Sequence, residues 1–165
     1  MKTGNSIQSK IVTREQLRRK VAQWKILGKT IAFTNGCFDL LHSGHIASLL
    51  EASTHADFLI VAINADDSVR KLKGENRPVN SEQDRAKVLA ALAMVDAVVI
   101  FEEDTPLELI KLVQPDFLIK GGDYKMEEIA GAKEVIEAGG QVILNQMIEG
   151  YSTTGLINRL KQSNT

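Results

Sequence analysis

Thr30-Ile-Ala-Phe-Thr-Asn-Gly-Cys-Phe-Asp-Leu-Leu-His-Ser-Gly-His45 is the stretch on which the reading of this chain turns. Its first six residues form a β-branched and aromatic run, the pattern of a strand buried on both faces of a parallel sheet. From Gly44 to Thr54 the apolar residues Ile46, Leu49 and Leu50 recur at helical spacing, which predicts a helix with those three side chains inward. Between strand and helix lie two imidazoles three residues apart, His42 and His45, with Gly44 between them. A helix start offers free backbone N–H groups and the positive end of its dipole, and a glycine lets the backbone come close. The turn therefore reads as a phosphate site in which both imidazoles reach one anion, and a bound phosphate would favour their protonated form.

The pattern repeats on either side. Thr13 to Leu27 opens with Thr13 and Gln16 at capping-box spacing, puts Leu17, Val21 and Trp24 on one face, and stops at Gly28, which predicts an amphipathic helix ahead of the first strand. Strands are expected at Phe58 to Ile63, Ala97 to Phe101, Phe117 to Ile119 and Val142 to Leu144. Helices are expected at Ser81 to Met94, from Thr105 with Pro106 in its first turn and Glu108 completing a capping box, at Glu127 to Ala138 before Gly139-Gly140, and at Thr154 to Leu160. Asn64 to Asn80 is the longest stretch with no regular pattern and carries Lys71, Lys73 and Arg77, so it reads as a long functional loop. Five strands alternating with helices predict an α/β, doubly wound, Rossmann-like parallel five-stranded sheet with an extra N-terminal helix, whose ligands sit beyond the carboxyl ends of the strands.

With 165 residues, the reading is a single domain over 1–165, divided into an N-terminal extension and helix, 1–29, and a catalytic core, 30–162. Twenty Lys and Arg against 21 Asp and Glu provide no broad basic field, so a nucleic-acid partner is not expected. No run approaches the roughly 20 apolar residues of a membrane span, and Met1 to Lys10 is polar, so no membrane association and a cytoplasmic location are expected. Cys37, the one cysteine, reads as a free buried thiol. His55 reads as a structural histidine. Zinc would need a third and fourth ligand beside His42 and His45, and none stands at a suitable spacing, so no metal ligands are assigned.

His42-Ser-Gly-His45 after a first strand resembles the His-x-Gly-His signature of the cytidylyltransferase-like nucleotidyltransferases, whose sheet is Rossmann-like. Further segments narrow the likeness. Phe33 to His42, Leu72-Lys-Gly74 with Arg77-Pro78, Phe101-Glu-Glu-Asp-Thr-Pro106, Lys120-Gly-Gly-Asp-Tyr124 and Gly150-Tyr-Ser-Thr-Thr154 together resemble the heptose 1-phosphate adenylyltransferases of ADP-heptose synthesis, over roughly Ile31 to Leu160. The resemblance implies transfer of AMP from ATP to D-glycero-D-manno-heptose 1-phosphate, with release of pyrophosphate, for lipopolysaccharide or other cell-surface heptose. It also implies Mg²⁺ carried with ATP mainly through the phosphates, a separate sugar kinase upstream, and a homodimer.

By the same resemblance His42 and His45 hold the triphosphate and stabilise the α-phosphoryl, while Lys73 closes over the phosphates. Asp66, Arg77 and Arg85 take the sugar phosphate. Asn35, Gly36, Phe38, Asp39, Gly44, Lys120, Gly121, Gly122, Asp123, Ser152, Thr153 and Thr154 surround the nucleotide. Asp39 has two open roles, an anchor for the loop backbone or a partner of the nucleotide and its metal. In related glycerol phosphate cytidylyltransferases an arginine stands shortly before Ser-Thr-Thr, where this chain has Met147, which favours the heptose branch. Two alternatives stay beside it: a cytidylyltransferase acting on glycerol or ethanolamine phosphate, and a nucleotide-binding module without catalysis. A tRNA synthetase-like core fits poorly, because the chain has no lysine-rich Met-Ser-Lys loop.

Overall fold

A computed structural model describes residues 4–122 and 124–145. In chain order the elements are α1 (Gly4–Gln8), α2 (Arg14–Ile26), β1 (Ile31–Gly36), α3 (Ser43–Ser53), β2 (Phe58–Asn64), α4 (Asp66–Lys73), α5 (Glu82–Ala90), β3 (Ala97–Phe101), α6 (Leu107–Val113), β4 (Phe117–Gly121), α7 (Ala132–Glu137) and β5 (Gln141–Asn145). A short 3-10 turn, Met126–Glu128, precedes α7. The five strands form one sheet in the order β3-β2-β1-β4-β5, and every neighbouring pair is parallel.

Alternation along the strands divides the core in two, because successive side chains leave a strand on opposite faces. Ile31, Phe33, Ile60, Ala62, Val99 and Leu118 pack with Leu17 and Val21 of α2, Leu109 and Val113 of α6, and Val135 of α7. Ala32, Leu59, Val61, Ile63, Val98 and Ile119 pack on the other face with Leu49 of α3 and Ala86 and Leu89 of α5. With both faces covered, the polar work of the molecule is confined to the strand ends. The chain winds outward from β1 to β3, then crosses back to place β4 on the other side of β1, so the strand order reverses between β1 and β4. At such a reversal the loops after the two strands part in opposite directions and leave a crevice at the carboxyl edge.

The capping box of α2 forms as its sequence implies: Gln16 N–H donates to Thr13 Oγ1, Thr13 N–H donates to Gln16 Oε1, and Gly28 follows the helix at φ 69. Other elements depart from expectation. Asn64–Asn80 is not one long loop, because α4 occupies Asp66–Lys73; its signal was short and mostly charged, with Val69 as the buried anchor. Acidic residues at its start and basic ones at its end suit the helix dipole. Leu50, expected inward, is 54% exposed, while Leu49 and Ala52 fill the inner face of α3. α5 ends at Ala90 rather than Met94. α6 starts after Pro106 with no side-chain cap, so the Thr105 capping box does not form.

The helix expected over Glu127–Ala138 is split by Gly131, whose φ of 83 lies in the left-handed region. A methyl at Gly131 would stand 2.6 Å from Cδ1 of Ile110. Gly131→Ala combines that clash with backbone strain, and should lower the unfolding free energy by about 1–3 kcal/mol. Urea denaturation of the variant beside the parent measures it. The helix expected over Thr154–Leu160 lies outside the described residues.

Candidate functional site

β1 ends at Gly36, and the chain turns through Cys37, Phe38 and Asp39 before His42 starts α3. Phe38 takes φ 48, an uncommon value for a residue with a side chain, and folds its ring back over Gly36. A Cβ at Gly36 would meet that ring at 3.0 Å, so the glycine makes room for the turn. Phe38 then lies against His45, ring centroids 5.4 Å apart, and His45 stacks on His42 at 3.8 Å. The two imidazoles predicted to act together do lie together.

His42 N–H donates to Nδ1 of His45 at 3.4 Å. With Nδ1 the acceptor, the neutral His45 ring carries its proton on Nε2, so it offers a donor without being charged. Burial, and then the neighbouring His42, push the His45 pKa down to about 4. Burial also lowers that of His42. A triphosphate beside them reverses the balance, because an anion stabilises the imidazolium.

Of the two roles left open for Asp39, its contacts here are those of an anchor. Its carboxylate is 3% exposed and accepts from Arg77 Nε at 2.6 Å, Val79 N–H at 2.8 Å and Asn80 N–H at 3.0 Å. Asn80 Nδ2 donates to the Asp39 carbonyl. Burial opposes ionisation of Asp39, yet those backbone N–H groups and the Arg77 guanidinium outweigh it and hold its pKa below the ordinary value.

Arg85, expected to hold an acceptor phosphate, is 2% exposed and donates inward to Cys37 O at 2.6 Å, Asn64 O at 2.8 Å, Asp66 Oδ1 at 2.7 Å and Asn80 O at 3.2 Å. Arg85 is thus committed to the turn and to Asp66, whose own side chain stays 26% exposed. No feature of the sequence distinguishes this arginine from a surface one, because its partners are backbone carbonyls brought from distant segments. Lys73 is exposed at the last turn of α4 rather than on a free loop.

Cys37 locates the charge of the site. Burial raises the pKa of its thiol, while Lys73, Arg85 and Arg77 pull it down, and the same thiol acts electrostatically on Lys120. Arg77 and Arg85 reach the turn directly, one through the Asp39 carboxylate and the other through the Cys37 carbonyl. Lys120 and Gly121 end β4 on the far side of the strand reversal, with Lys120 Nζ 5.3 Å from the Tyr124 ring centre and Gly122 at φ 114. Burial lowers the Lys120 pKa. Asn35, Gly36 and Gly44 lie in β1 and the first turn of α3, beside this crevice. Asp123, Ser152, Thr153 and Thr154 lie outside the described residues. Among the described residues no group of three His, Cys, Asp or Glu is placed to hold a metal ion, and no helix is long and apolar enough to cross a membrane.

Comparison with known proteins places this geometry. Residues 33–159 match the cytidylyltransferase-like family. The bifunctional protein HldE of Koribacter versatilis is 55% identical over 152 residues, which cover 92% of this chain and 31% of that protein. The chain thus spans about a third of the length of the curated relatives it matches. The lipopolysaccharide core biosynthesis protein of Thermoplasma volcanium superposes with TM-score 0.61 at 26% identity, over 76% of this chain and all of that one. Pantoate-beta-alanine ligase of Francisella tularensis, complexed with beta-gamma ATP and beta-alanine, superposes with TM-score 0.64 over 94% of this chain and 78% of that one; at 16% identity it shows a shared fold.

The histidine geometry makes folding pH-dependent. His45 binds its proton near 6.5 when unfolded and near 4 when folded, so between those values the unfolded chain holds more protons. Unfolding free energy should therefore fall as pH drops from 6.5 to 4. His45→Gln should flatten that decline, which urea titrations at a series of pH values will read.

Proposed function

The chain belongs to the cytidylyltransferase-like family, and within it we propose that this protein transfers AMP from ATP to heptose 1-phosphate, forming ADP-heptose and pyrophosphate for lipopolysaccharide synthesis. The observation that carries the proposal is the stacking of His42 on His45 at the start of α3, on a turn whose Asp39 holds Arg77. Identity of 55% to an HldE protein over nearly the whole chain supports the heptose branch. The domain acts as one catalytic unit over 30–162, with the sugar phosphate supplied by a kinase.

The acceptor needs no strong base. The second pKa of a phosphate monoester is about 6, so its attacking oxygen is already largely ionised near neutral pH. The difficulty is bringing that dianion to a triphosphate, and it is met by position and positive charge. A phosphate oxygen of the acceptor attacks the α-phosphorus while the bond from that phosphorus to the β-bridging oxygen breaks in line, and the electron pair leaves with pyrophosphate.

His45 Nε2–H and His42 donate to the α-phosphoryl oxygens, and their protonation by the approaching phosphates adds charge where it builds up. Lys73, at the exposed end of α4, and Arg77, steered by Asp39, hold the phosphates from the β2 side. Lys120, Gly121 and Gly122 take the nucleoside from the β4 side, with Asn35, Gly36, Phe38 and Gly44 shaping the floor. Arg85 and Asp66 hold each other and leave the acceptor phosphate to Arg77. Mg²⁺ bound with ATP would neutralise part of the triphosphate charge. Asp39 is buried and engaged by Arg77 and the 79–80 backbone, so it does not suit the ion as a ligand, and coordination would rest mainly on phosphate oxygens.

Purified protein, Mg²⁺ and heptose 1-phosphate should release pyrophosphate with ATP and form ADP-heptose; release with CTP alone would overturn the assignment. His45→Ala should lower kcat by at least ~10²-fold, the loss of a donor poised for the transition state. A coupled pyrophosphate assay measures both.

A further inference from the structure

We infer that Arg85 is a positioning residue: its buried guanidinium locks the phosphate turn after β1 to the 77–80 segment, so that His42 and His45 from one and Arg77 from the other face the same reacting phosphates. The inference rests on the triphosphate reading of the turn given above. Arg85 touches none of the groups assigned to substrate. Four of its donor bonds go to Cys37 O, Asn64 O, Asn80 O and Asp66 Oδ1, which belong to the turn after β1, the last residue of β2, the lead-in to α5 and the first turn of α4.

Two of those partners close a ring. Asn80 accepts from Arg85 through its carbonyl while its own N–H and Nδ2 donate to Asp39, two residues beyond Cys37 on the same turn. The turn is therefore held to the 77–80 segment twice, by carboxylate and by guanidinium, and Arg77 leaves that segment already paired to Asp39. A planar fork can serve several acceptors in fixed directions, whereas an ammonium on a flexible stem cannot. The carbonyls of Cys37 and Asn64 lie at the carboxyl ends of adjacent strands, and Arg85 gives each of them a donor.

The test reads His45 itself. Its ring titration, followed by NMR on the nucleotide-free protein, reports how tightly the turn is closed, since burial against Phe38 and the stacked His42 holds its midpoint near 4. Arg85→Lys should move that midpoint up towards the ordinary 6.5 and weaken ATP binding about tenfold or more. Asp66→Asn, which keeps size and shape but removes the charged partner, should move both in the same direction by less. It carries the test alone if Arg85→Lys does not fold. Gly131→Ala, on the opposite face of the sheet, serves as the control and should leave the midpoint in place while lowering stability.

A midpoint in Arg85→Lys and Asp66→Asn that stays with the control overturns the inference. So does a moved midpoint with ATP affinity unchanged. The midpoint is read without turnover or ligand, so a parent protein that binds no ATP would count against the functional reading while the link between Arg85 and the turn is still decided.

Discussion

A parallel sheet covered on both faces leaves its strand ends as the place where polar groups can meet a ligand, and the point where strand order reverses leaves those ends apart. Both conditions meet at β1. It is the central strand, paired to β2 on one side and β4 on the other, and its end carries the turn with His42 and His45. Everything chemical in the molecule follows from what the loops after β1, β2 and β4 bring to that edge. The cations come from both sides of that strand, Arg77 and Arg85 from the connection after β2 and Lys120 from the end of β4.

Two stacked imidazoles in a partly buried turn resist protonation. Beside them two arginines are paired: Asp39 holds Arg77 and the backbone at 79 and 80, and Asp66 holds Arg85. These buried pairs are costly to break singly, because a lone buried charge remains. They tie the turn to its neighbours, and in the proposed function an arriving polyphosphate would favour the protonated imidazoles.

The distinction between holding a ligand and holding the holder separates residues of one chemical type. Arg77 and Arg85 lie eight positions apart and look alike in the sequence. Arg77 gives its Nε to Asp39 and keeps 14% of its side chain exposed, whereas the Arg85 side chain is fully enclosed. The same holds for Asp39, whose position three residues before His42 is compatible with a ligand role until its bonds to the distant 79–80 backbone are seen.

By itself the sequence determined the five strands, the helix over Thr13 to Leu27 with its capping box, and the paired histidines after the first strand. Each of these rests on local period or spacing, which survives in the chain whatever surrounds it. It did not disclose α4, whose apolar signal is little more than Val69, or the break at Gly131, where a left-handed residue interrupts a helical pattern. Nor did it disclose which charged residues face inward. That depends on carbonyls and carboxylates delivered from segments up to 48 positions away, as with Arg85 and Cys37, and only the crossover that sets β1 between β2 and β4 brings them within bonding distance.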